Sequence, residues 1–95
     1  PVLDAVPEGA RVALVFDFDV LDSAAMPAVI ARAPGGMDYW TALELIAGVA
    51  ARARIACATF CEFCPDRDIE GQGARVAAGL VAATLGCIAR GRRRV

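Results

Sequence analysis

At 95 residues, 58% of them hydrophobic and with a mean hydropathy of +0.53, the chain suffices for one small domain and is very apolar for a domain standing free in water. The net charge is −1, with Arg supplying all 10 basic residues, so bulk electrostatics proposes no partner, and neither nucleic acid nor a membrane is expected. His is absent, which excludes an imidazole metal ligand and a His general base.

Residues 1–10 form a polar lead-in with Pro7 and Gly9; Asp4 and Glu8 interrupt any signal-peptide core. Pro1 fits both a start from which an initiator Met has been removed and a cut within a longer protein. Arg11 to Phe16 is a continuous apolar run, the pattern of a strand buried on both faces. Asp17 to Gly36 reads as a long functional loop punctuated by Pro27, Pro34 and Gly35-Gly36. Asp38 is placed to cap a helix reaching about Arg52, with Leu43, Ile46, Ala47 and Ala50 on its apolar side. Tyr39 and Trp40 at its start are expected to cap the core, and Glu44 to be solvated.

Arg54 to Phe60 reads as a second buried strand, and Pro65 to Gly73 as a polar loop. A second helix is expected from about Ala74 to Ala89, with Val76, Leu80, Val81 and Leu85 facing inward. The stretch Val76 to Ala89 is too short to span a bilayer. The cations of Arg92-Arg93-Arg94 suit a solvated helix C-terminus. The order β-α-β-α implies parallel strands in an α/β layered fold, and the apolar excess implies inward-facing elements of a larger sheet.

The chemistry concentrates at Asp17-Phe18-Asp19. Two carboxylates at i and i+2 of a strand end share one face, roughly 7 Å apart along the backbone. They sit at the C-terminal edge of a buried strand, where parallel α/β sheets place ligands. Crowded carboxylates repel unless a cation neutralises them, and hard divalent ions such as Mg²⁺ or Mn²⁺ take oxygen donors. Asp22 reads as an acceptor that orders the loop, and Asp66 and Asp68 as solvated residues or caps of the last helix.

The run Val15-Phe16-Asp17-Phe18-Asp19-Val20-Leu21-Asp22-Ser23, then Met26-Pro27-Ala28 and Pro34-Gly35-Gly36, resembles the ureohydrolase family of arginases, agmatinases and formimidoylglutamases. A second anchor, Glu62-Phe63-Cys64-Pro65 followed by Asp66-Arg67-Asp68, resembles that family's Glu-x-Asn-Pro segment. The resemblance runs from about Arg11 to Ala89. It implies a three-layer α/β/α fold with a parallel sheet, present here in part as the C-terminal portion of one domain spanning 1–95.

The same resemblance implies a binuclear manganese centre in which Asp17 bridges both ions and Asp19 binds one, with Glu62 contacting the substrate cation. The implied reaction is hydrolysis of a guanidino or amidino C–N bond, releasing urea or formamide. The family's other ligands, histidines and further aspartates, belong to segments outside this sequence, so the chain alone is expected to be inactive. The sequence departs from the family pattern at Val15, Phe18, Ser23, Thr59 and Cys64 and keeps both aspartates and Glu62. The family's usual trimers or hexamers and the apolar composition imply a homo-oligomer.

Other readings compete. Leu14 to Ser23 also resembles the first motif of haloacid-dehalogenase-type phosphatases, but Val20-Leu21 departs from that motif, no Lys exists, and Pro27, Gly36 and Glu62 go unexplained. Cys57, Cys61 and Cys64 carry the spacing of an iron–sulfur triad. Small buried hydrophobes are the simpler account, as for Cys87, and a structural zinc site is disfavoured because Cys87 stands alone on a helix. Four cysteines without a disulfide framework suit the reducing cytoplasm. A degenerate or truncated ureohydrolase acting only as a structural or interaction module is the non-enzyme alternative.

Overall fold

The structure, a computed structural model, describes residues 1–93 and the side chains of 1–92. Arg94 of the basic tail, and the side chain of Arg93, lie outside that range. Strands β1 (Arg11–Asp17) and β2 (Arg54–Cys61) pair in parallel, joined by helix α1 (Tyr39–Arg52); helix α2 (Gln72–Arg93) follows. Short 3-10 turns at Leu3–Ala5, Phe18–Val20 and Pro65–Arg67 mark the corners.

The strands are not buried on both faces. In β1 the positions alternate: Val12, Leu14 and Phe16 turn toward the core, while Val15 is 68% exposed. Both helices contribute to the single core on the inward side, so the described residues provide the sheet and one helical layer of a layered α/β fold. The bare outer face is apolar because a strand bound for a three-layer fold must suit burial on both sides.

The register carries one irregularity. Val12 pairs with Ile55, but Ala13 pairs with Cys57, so Ala56 is bulged out. Ile55 and Phe60 are an odd number of residues apart and would face opposite sides of a regular strand. The extra residue restores the phase, setting Phe16 opposite Phe60 with both rings toward the core. Cys57 is consequently exposed, contrary to the expectation of a buried small hydrophobe.

The segment from Asp17 to Gly36, expected as a functional loop, also supplies the centre of the core. Leu21, Met26, Ala28 and Val29 are fully buried. Burial of each of the three larger side chains stabilises the fold by roughly 1.5–3 kcal/mol. Asp22 orders this segment as expected: its carboxylate accepts from the amides of Ala24 (2.9 Å) and Gly35 (2.7 Å). Gly36 lies where a Cβ would meet the backbone oxygen of Val20 at 2.8 Å and the amide of Asp22 at 2.9 Å.

Asp38 caps α1, accepting from the Thr41 amide at 2.7 Å. Ala42 and Ile46 are its buried residues; Ala47 is exposed, as is Glu44. Tyr39 packs on the core, but Trp40 is 69% exposed and meets Tyr39 edge-on, so only one of the two aromatics caps the core.

Asp68 caps α2, accepting from the amides of Gly73 (2.7 Å) and Ala74 (3.0 Å), which moves the start back to Gln72. The helix also runs beyond Ala89, and by length and composition alone it is long enough to cross a bilayer. In this fold it lays Leu80, Thr84 and Cys87 against the core. Leu85 is 61% exposed, since it stands about 100° from Thr84 around the helix. Thr84 tolerates burial because its hydroxyl donates to the Leu80 carbonyl at 2.8 Å.

Candidate metal and substrate site

The pleat of a strand does not bring the aspartates together. Strand β1 ends at Asp17, and the 3-10 turn Phe18–Val20 carries Asp19 back toward it. The tight turn replaces the extended spacing expected for an i, i+2 pair. The parallel register sets Asp17 opposite Cys61, the last residue of β2, so Glu62 enters the same edge one residue later. The ligand atoms of Asp17, Asp19 and Glu62 all lie within 4.8 Å of one another. Asp17 and Glu62 are exposed and Asp19 is half-buried.

An aromatic cluster roots this edge. Phe18 is 4% exposed, stacks on Phe60 at 5.5 Å and meets Phe16 edge-on at 5.9 Å. Phe63 meets Phe18 edge-on at 6.2 Å, so all 4 phenylalanines of the chain join beneath the carboxylates. Phe18, buried between Phe16, Phe60 and Phe63, is thus the anchor of the turn that carries Asp19.

Partial burial raises the Asp19 carboxyl above its ordinary value, reinforced by a hydrogen bond with Asp17 and by the charge of Asp17. Desolvation also raises the Cys61 thiol, and Asp17, Glu62 and Asp19 add to the shift. The Cys61 thiol donates toward the Phe16 carbonyl at 3.7 Å. All 4 cysteines are free, and among the described residues the metal-capable group comprises the three carboxylates and no cysteine. The donor set is all oxygen, which fits a hard divalent cation.

Glu62 has a φ of 74°, in the left-handed region that costs a side-chain-bearing residue roughly 1–2 kcal/mol. The chain on either side of it is pinned. Upstream, Cys61 belongs to the ladder. Downstream, the Cys64 amide donates to the Ala28 carbonyl at 2.7 Å. Arg32 adds a clasp, donating from Nε to the Pro27 carbonyl (2.9 Å) and from Nη2 to the Arg67 carbonyl (3.0 Å). Nothing in the motifs marks Arg32; its one signal in the sequence is that it is the lone cation in the otherwise uncharged run from Ser23 to Met37.

Comparison with known proteins points one way. The sequence model described as Arginase family matches residues 1–86. The formimidoylglutamase of Enterobacter sp. (strain 638) is 43% identical over 79 residues, covering 82% of this chain and 25% of its own length. The arginase structure from Bacillus subtilis superposes with a TM-score of 0.66 at 31% identity, covering 80% of this chain and 27% of the other. The proclavaminate amidino hydrolase from Streptomyces clavuligerus gives a TM-score of 0.81 at 28% identity, covering 87% and 27%. The chain thus spans about a quarter of the length of the relatives it matches.

Proposed function

The chain belongs to the arginase family, and on that premise we propose that it is the C-terminal portion of a binuclear-manganese hydrolase acting on a guanidino or amidino C–N bond. The observation that carries the reading is the convergence of Asp17, Asp19 and Glu62 at one sheet edge, each brought there by a different local device. Asp17 and Asp19 would hold manganese. When bound, such ions supply Lewis-acid polarisation and activate water at neutral pH.

Glu62 accepts N–H donors from the planar cation of the substrate, a charge-assisted contact that orients the reacting carbon. The aromatic cluster below excludes water from the buried side of the carboxylates and fixes their direction. The two carboxylates of Asp17 and Asp19 supply too few donors for two six-coordinate ions, so the remaining ligands come from the rest of the parent domain. The isolated chain is accordingly inactive.

Relatives named formimidoylglutamase favour an amidino substrate with formamide as product over a guanidino substrate with urea as product. The partner is a small molecule, with neither nucleic acid nor membrane involved, in a cytoplasmic homo-oligomer, a trimer or hexamer. Four free cysteines suit that compartment.

The test uses the full-length parent. Asp17→Ala is expected to lose bound manganese and turnover together, whereas Glu62→Ala keeps the metal and loses turnover. Retention of full metal content by Asp17→Ala would remove Asp17 from the metal site.

A further inference from the structure

We propose that Arg32 is a positioning residue that sets substrate affinity by holding Glu62 in its left-handed backbone conformation. The proposal rests on the reading of Glu62 as the contact to the substrate cation. A glutamate at a φ of 74° persists only where its surroundings over-determine it. Relaxation to an ordinary φ would swing the Glu62 carboxylate away from Asp17 and Asp19. Nothing within the residue prevents this, so the restraint is external.

The restraint is identifiable. Cys61 is fixed by pairing with Asp17, which leaves the segment after Glu62 as the part free to move. That segment is docked on the buried stretch Pro27–Val29 by the Cys64 amide on the Ala28 carbonyl and by the two bonds of Arg32. Ala28 and Val29 are fully buried, so the platform is rigid. The guanidinium spans from the platform to the carbonyl of Arg67 at the far end of the 3-10 turn Pro65–Arg67. Its planar fork makes both bonds from one side chain, a geometry that a lysine cannot reproduce.

A built-in comparison separates positioning from mere stability. Gln72 tethers the same loop to α2, its side chain donating to the carbonyls of Ala24 and Ala25 and to no residue from Glu62 to Arg67. Loosening the loop through Gln72 should lower the melting temperature without altering substrate affinity. Loosening the Glu62 segment through Arg32 should alter affinity.

The experiment uses the full-length parent with formimidoylglutamate, arginine and agmatine assayed in parallel, and bound manganese measured in every variant. Arg32→Ala should raise KM about tenfold, with kcat within about threefold and manganese unchanged, as expected for the loss of charge-assisted bonds that act on ground-state binding. Arg32→Lys should fall between wild type and Arg32→Ala, and it carries the test should the alanine variant fail to fold. Gln72→Ala should leave KM unchanged. In a Glu62→Gln background, Arg32→Ala should add less than about twofold to KM, because two residues acting through one contact are not additive.

Additive effects in the double variant, or an equal rise in KM for Gln72→Ala, would overturn the proposal and leave Arg32 as a structural tether. A rise in KM for Glu62→Gln without one for Arg32 variants refutes the positioning role alone. Absence of turnover on all three substrates, or an unchanged KM in Glu62→Gln, refutes the functional reading and the proposal with it.

Discussion

Replacing Glu62 by glycine or by alanine gives a pair of variants that differ by one methyl group and isolates the backbone term. Both remove the carboxylate and its repulsion with Asp17 and Asp19, so electrostatics cancels between them. At the observed φ of 74°, alanine keeps a left-handed cost of roughly 1–2 kcal/mol that glycine avoids. Glycine loses about 0.4–1 kcal/mol through the greater freedom of its unfolded chain. The difference leaves Glu62→Gly the more stable of the two by about 0–1.6 kcal/mol, opposite in sign to the usual order. Urea denaturation of the metal-free parent at neutral pH, followed by circular dichroism, measures the gap. If glycine is instead the less stable of the two by 0.4 kcal/mol or more, on the order of the ordinary penalty, then Glu62 is not held at positive φ. The backbone at this edge then carries no strain.

Three further outcomes are expected. Gly36→Ala should destabilise by about 1–3 kcal/mol and weaken manganese retention, because the added Cβ meets backbone atoms of Val20 and Asp22 that cannot rotate away; thermal denaturation with metal analysis checks both, and an unperturbed variant would show that the loop yields. The amides of Ala24 and Gly35 lower the Asp22 carboxyl below its ordinary 3.8, and the Thr41 amide and hydroxyl do the same for Asp38. Folded values below the unfolded ones mean that this stabilisation is complete above about pH 4 and is lost as pH falls through the depressed values. Asp22→Asn should therefore flatten the acid limb of the stability curve, and an unchanged limb would assign acid unfolding to other groups. Anaerobically purified protein should contain neither iron nor sulfide, since among the described residues Cys57, Cys61 and Cys64 do not gather their sulfurs into a group that could hold a metal; stoichiometric iron would restore the cluster.

Some of this molecule follows from determinants that lie within a few residues of one another. The Asp38 cap, the parallel order of β-α-β and the loop-ordering role of Asp22 are of that kind. So is the placement of two aspartates at a strand end, because caps, Asx turns and the hand of a crossover are local rules. The resemblance at Asp17, Asp19 and Glu62 reached the family for the same reason: its spacings are linear. Tertiary structure alone decided the rest. The bulge at Ala56 exists to phase Phe60 with a phenylalanine on another strand, and it left Cys57 exposed. Packing of α2 on the core chose Thr84 and Cys87 over Leu85, and packing of α1 left Trp40 outside. The approach of Asp19 to Asp17 required a 3-10 turn braced by stacking on Phe60, and the clasp of Arg32 on Arg67 joins residues 35 apart. Each depends on which surface meets which across the fold, a relation that periodicity along one segment does not contain.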